Sequence, residues 1–185
     1  MHQLRQQQSN RNIVLYGSTT FLLWKNAAAD LSSSNLVNLG FGGATIEACR
    51  VFFNRTVQPQ KPLNLAIYVG DNDIGGGMTV EDVKHEFELF MAHISEVLPD
   101  TKCQLVSVKP SPFRAHLEPY ILEMNAHIEA LAASNPKWNY IDLHTPMLDA
   151  DGRPSAIFYD SDPLHMNSIG YALLAQLLRN SMSQT

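Results

Sequence analysis

Hydroxyl, amide, carboxylate and imidazole groups stand in this chain where short apolar runs give way to glycine or proline. Ser18, Thr19 and Thr20 follow Gly17, and Gly40-Phe41-Gly42-Gly43 closes a second run. Gly70-Asp71-Asn72-Asp73 closes a third, and Asp162-Pro163-Leu164-His165 precedes the last helical stripe. Acyl transfer uses that set of groups: a hydroxyl nucleophile, an imidazole base, a carboxylate that orients the imidazole, and N–H donors for the oxyanion. A separation of three residues on a tight turn lets Asp162 and His165 face one cleft. Simpler roles exist for each group. Ser18 and Thr19 suit the N-cap of a helix. Gly40, Gly42 and Gly43 suit a turn, and fit a dinucleotide loop poorly because Thr45 stands where that loop wants Gly or Ala. Asn72 suits a turn that bonds its own backbone.

The elements that must position these groups are legible as alternating patterns. Five apolar runs, Ile13–Gly17, Leu36–Gly40, Leu65–Gly70, Gln104–Lys109 and Tyr140–Leu143, predict strands buried on both faces of a parallel sheet. Between them the spacing is helical. Val80, Val83, Phe87, Phe90, Met91, Ile94 and Leu98 form one stripe, opened by a Thr79/Asp82 cap and stopped by Pro99. Leu117, Ile121, Met124, Ile128 and Leu131 form a second, ended by Asn135-Pro136, and Leu173, Leu174, Leu177 and Leu178 form a third. Strands alternating with helices predict an α/β three-layer sandwich with ligands gathered outside the carboxyl ends of the strands. The stretch from Leu143 to Asp162 is weakly patterned and predicts a functional loop or a hidden helical turn.

Composition narrows the class. The 185 residues suit one domain, here residues 12–185 after a polar tail at 1–11. Lys and Arg number 13 against 18 Asp and Glu, and no basic cluster occurs, which argues against phosphate-driven nucleic-acid binding or docking to an anionic membrane. Cys49 and Cys103 lack metal-ligand spacing and read as buried thiols. The N-terminus lacks the apolar core of a signal peptide, and no apolar run approaches a membrane span, so a cytoplasmic location is expected. Asp149-Ala150-Asp151-Gly152 resembles the start of a calcium loop, but Pro154 occupies the glycine position and a plain turn is expected. Of the seven histidines, His85, His93, His116 and His127 fall in or beside helices, and His144 has no motif around it. Trp24 is expected in the core or as a wall of an acyl pocket. Lys109 and Arg114, after the fourth strand, are candidate substrate contacts.

Taken in order, Tyr16-Gly17-Ser18-Thr19, Asn38 to Thr45, Gly70-Asp71-Asn72-Asp73 and Asp162-Pro163-Leu164-His165 resemble the four blocks of the SGNH hydrolases, the GDSL-type esterases and acylhydrolases. The resemblance covers nearly the whole chain. It implies a flavodoxin-like five-stranded sheet of order 2-1-3-4-5, hydrolysis of a carboxylic ester of a small acyl substrate, and no metal or organic cofactor. It also implies roles: Gly43 and Asn72 as oxyanion donors, His165 as base and then acid, and Asp162 as the group that fixes the imidazole tautomer. The family's nucleophilic serine falls on Thr19, while Ser18 takes the place usually held by Asp. Three readings follow: Thr19 attacks despite its extra methyl, Ser18 attacks through a shifted loop, or the site is impaired and the protein binds an acyl or glycan ligand.

Overall fold

The fold was obtained as a computed structural model that describes residues 12–183; the polar tail at 1–11 lies outside them. Strands β1 (Ile13–Gly17), β2 (Leu36–Gly40), β3 (Asn64–Tyr68), β4 (Lys102–Val106) and β5 (Trp138–Ile141) form one parallel sheet in the order β2-β1-β3-β4-β5. This is the flavodoxin-like order expected. The last three strands start and stop earlier than their apolar runs, because Val69, Gly70 and Ser107–Lys109 already belong to the loops that leave the sheet. Burial on both faces holds for β1 and β3 and fails at β2 and β5, which are the sheet edges and stay partly exposed.

Side-chain alternation divides the core. Val14, Tyr16, Leu65 and Ile67 face α3 (Ile46–Thr56), α5 (Val80–Val97) and α6 (Glu118–Ala133). Ile13, Leu15, Ala66 and Tyr68 face the opposite layer, made of α1 (Thr19–Leu22), α2 (Ala27–Asp30) and α7 (Ser168–Ser183). A short helix α4 (Asp71–Gly75) follows β3. Helix α5 begins as its cap predicts: Thr79 Oγ1 accepts from the Asp82 N–H at 3.2 Å and donates to the Asp82 carboxylate at 2.7 Å. The weakly patterned stretch before Asp162 carries two 3₁₀ turns, Thr145–Met147 and Ala156–Phe158. Asp149 forms a plain turn, its Oδ1 accepting from Asp151 and Arg153 N–H groups at 2.9 and 3.0 Å. Trp24 is core: it is 2% exposed and stacks on Tyr171 at 5.6 Å. Cys49 and Cys103 are buried free thiols. Among the described residues no helix is long and apolar enough to cross a membrane.

Strand register does the positioning. Gly17 pairs with Gly40 on one side and with Tyr68 on the other, so β1, β2 and β3 end level. The loops that carry Ser18–Thr19, Gly42–Gly43 and Asp71–Asn72 therefore leave the sheet at one edge, as the parallel topology requires.

Candidate active site

Glycine makes the first turn possible. Gly17 has φ +137°, and a Cβ there would lie 1.9 Å from the Tyr68 carbonyl oxygen, so no other residue lets β1 turn this close to β3. The Ser18 N–H donates to that same carbonyl at 2.9 Å. Ser18 occupies the N-cap of α1, yet its side chain caps nothing. It is 1% exposed and its Oγ has no partner. Thr19, the first residue of α1, is half-buried. The structure thus turns the Ser18 hydroxyl inward and leaves Thr19 the more accessible of the two, and the simple capping role is absent.

The loop after β2 is tied to its neighbours at several points. The Phe41 N–H donates to Gly17 O at 2.9 Å, and Asn38 Nδ2 donates to Phe21 O at 2.6 Å. Gly43 has φ +68°, with nothing within 4 Å of a Cβ position. Thr45 caps α3 by accepting from the Ala48 N–H at 3.2 Å. From α4, Asp73 Oδ1 accepts the Ile46 N–H at 3.0 Å, and Asn72 Nδ2 donates to Ala44 O at 3.1 Å. Asn72 is therefore a bridge between two loops and does not bond its own turn. Its other amide hydrogen and the Gly43 N–H meet no protein acceptor among the described residues. Burial pushes the Asp73 carboxyl up to about 6.

Asp162 and His165 form a closed pair. Asp162 Oδ2 bonds His165 Nδ1 at 2.7 Å, while Oδ1 accepts the Leu164 and His165 N–H groups at 2.9 and 2.7 Å. The bond from His165, with these backbone donors, holds the Asp162 carboxyl down at about 2. A carboxylate on Nδ1 leaves Nε2 as the imidazole's free nitrogen. The turn is braced by an antiparallel bridge between Tyr159 and Met166 and by a bond from the Asp160 N–H to His165 O at 3.0 Å. Asn167, next to it, caps α7 through its Oδ1 at 2.9 Å from the Ile169 N–H.

Lys109 and Arg114, read from sequence as possible substrate contacts, are built into the scaffold. Lys109 is 5% exposed, and its Nζ donates to Leu164 O at 2.8 Å, inside the Asp162–His165 turn. Burial lowers its amine to about 8. The Phe113 N–H donates to Pro163 O at 3.2 Å, and the Tyr159 hydroxyl donates to Pro110 O. Arg114 reaches the other way, to Asp71 and Asn72. The buried His144, paired with Glu118 at 2.8 Å, had no signal in the sequence because its partner lies on α6. A groove of about 370 Å³ adjoins the Asp162–His165 turn, lined by Leu23, Trp24, Asp30, Asp160, Met166 and Tyr171 among others. Among the described residues no three His, Cys, Asp or Glu side chains are grouped to hold a metal ion.

Comparison with known proteins places this arrangement in context. A model of the GDSL-like lipase/acylhydrolase family matches residues 14–173. A GDSL-like lipase from Bacteroides thetaiotaomicron is 22% identical, with a TM-score of 0.79 over 94% of this chain and 88% of that one. The lipase/acylhydrolase from Enterococcus faecalis is 22% identical, with a TM-score of 0.77 over 94% and 96%. An acetyl xylan esterase is 17% identical, with a TM-score of 0.77 over 91% and 98%. At these identities the solved structures show likeness of fold. Among the curated proteins, none matches this chain.

Proposed function

The chain belongs to the GDSL-like lipase/acylhydrolase family, and from that premise we propose that it hydrolyses a carboxylic ester through an acyl-enzyme formed on Thr19. The observation that carries this reading is the Asp162–His165 pair. Its 2.7 Å bond occupies Nδ1 and leaves Nε2 to accept a proton. In the first step Thr19 Oγ1 attacks the ester carbonyl carbon and its proton passes to Nε2. Asp162, a carboxylate throughout the neutral range, holds the imidazolium through the same bond that depresses its own pKa. The carbonyl oxygen becomes an oxyanion, met by the Gly43 N–H and the free Asn72 amide hydrogen. Collapse breaks the bond to the alcohol, which leaves with the proton from His165. Water then attacks the acyl-Thr19 carbonyl by the same relay, releasing the carboxylic acid.

The reading is supported by the cross-loop bonds of Asn72 and Asp73, which fix the two donors before substrate arrives. It is tested by kcat/KM for short-chain aryl esters with the parent, His165→Ala and Asp162→Asn. His165→Ala loses turnover, and Asp162→Asn keeps the fold but loses much of the rate because the wrong tautomer is favoured. A parent inactive on a broad ester panel, yet retaining acyl or glycan ligands, would replace hydrolysis with binding.

A further inference from the structure

Arg114 is drawn into the structure more completely than a surface arginine needs to be. Its side chain is 15% exposed and lies against α4. Nη1 donates to the Asp71 carbonyl at 2.7 Å and lies 3.3 Å from the Asp71 carboxylate, while Nη2 donates to Asn72 Oδ1 at 3.2 Å. The residue itself is set by the turn that bears it: Ser111 Oγ accepts the Arg114 N–H at 3.1 Å. The sequence also leaves room for the guanidinium. A Cβ on Gly75 would sit 2.9 Å from Arg114 Cζ, so glycine at the end of α4 lets the planar group lie against the helix.

We propose that Arg114 is a positioning residue for the oxyanion donor Asn72, acting through the amide it grips and never touching substrate. This rests on the reading of Asn72 given above. A carboxamide has two orientations related by a half-turn, and only one presents N–H to the oxyanion. The guanidinium, a donor with no acceptor, requires Oδ1 on its side, and the Ala44 carbonyl requires Nδ2 on the other. The two demands agree on one orientation. The bond from a cation also draws electron density from the amide carbonyl, which makes the remaining N–H a stronger donor to a developing negative charge. On the far side of the same loop, Lys109 and Phe113 hold the Asp162–His165 turn. The segment from Lys109 to Arg114 thus spaces the base from the oxyanion donor.

The experiment is a double-mutant cycle read on kcat and KM with a short-chain aryl ester. Arg114→Met is expected to lower kcat by roughly 10-fold with little change in KM, less than the ~10²–10³ typical of losing the donor itself in Asn72→Ala. In the Asn72→Ala background, Arg114→Met has no further effect on kcat. Among the described residues, removing the cation leaves the buried Asp71 carboxylate with only the Tyr68 hydroxyl, at 3.4 Å, and threatens folding, so Gly75→Ala serves as the second probe: it displaces the guanidinium while keeping every charge. It is expected to reproduce the loss in the parent and to be silent with Asn72→Ala. Equal losses in both backgrounds, or unchanged kcat in folded Arg114→Met and Gly75→Ala, overturn the positioning role alone. Unchanged kcat in Asn72→Ala, or a parent without turnover, removes the reading of the site and the proposal with it.

Discussion

Between two adjacent hydroxyls the structure makes a clear physical distinction. Ser18 is sealed beneath the turn with its Oγ unpartnered, whereas Thr19 opens α1 and keeps access. If Thr19 attacks, its methyl group is a hindrance, because β-branching restricts χ1 and near-attack geometry tolerates little error. Thr19→Ser is therefore expected to raise kcat/KM on a short-chain aryl ester. Thr19→Ala is expected to abolish the covalent route, and Ser18→Ala to retain most activity, with folding checked by circular dichroism. The reverse pattern, Ser18→Ala dead and Thr19→Ala active, would make Ser18 the nucleophile.

At the scale of elements, α4 holds the site together, because consecutive residues bond outward to different loops. Asn72 reaches the loop after β2 and the arginine after β4, while Asp73 bonds the first N–H of α3. Burial raises the Asp73 carboxyl from its ordinary 3.8 to about 6, so between those values the folded protein binds more protons than the unfolded chain. Stability from this group is present at low pH and is lost as pH rises through 6. Asp73→Asn keeps an oxygen for the Ile46 N–H without a charge to desolvate. Its Tm should exceed that of the parent at pH 8 and converge with it near pH 4, with about 3 kcal/mol as a ceiling. A lower Tm for Asp73→Asn at pH 8 would show that the ionised carboxylate is needed by α3.

Across the whole molecule, the sheet separates two cores, and the one beneath α3, α5 and α6 is built around aromatic rings. Phe90 is fully buried and contacts Phe53 and Tyr16 at centroid distances of 5.7 and 6.3 Å. These rings lie under the strand that delivers Gly17, so the site's register depends on their packing. Phe90→Ala leaves a cavity and is expected to cost about 3–5 kcal/mol in urea unfolding. A loss below about 1 kcal/mol would mean that α5 closes over the gap.

The strands, the principal helices and the four chemical blocks were legible in the sequence for a local reason, whereas the sheet order came only from the resemblance to the GDSL-type esterases. A parallel α/β chain writes each strand as an apolar run and each functional loop as the glycine, proline or polar residues that end it. The Asp162–His165 pair was legible on the same ground, since its partners are three residues apart and close one turn. What joins residues far apart along the chain was decided only by tertiary structure. Arg114 read as a candidate substrate contact because neither its grip on Asn72 nor the gap left by Gly75 has a sequence period. Lys109 looked the same, although its amine is sealed against the Leu164 carbonyl. Asn72, implied by the resemblance as an oxyanion donor and otherwise suited to a self-bonding turn, has Ala44 and Arg114 as its partners. Ser18 and Thr19 are equivalent as letters. They differ because Gly17 ends level with Tyr68, and the turn that follows buries the first hydroxyl and leaves the second accessible.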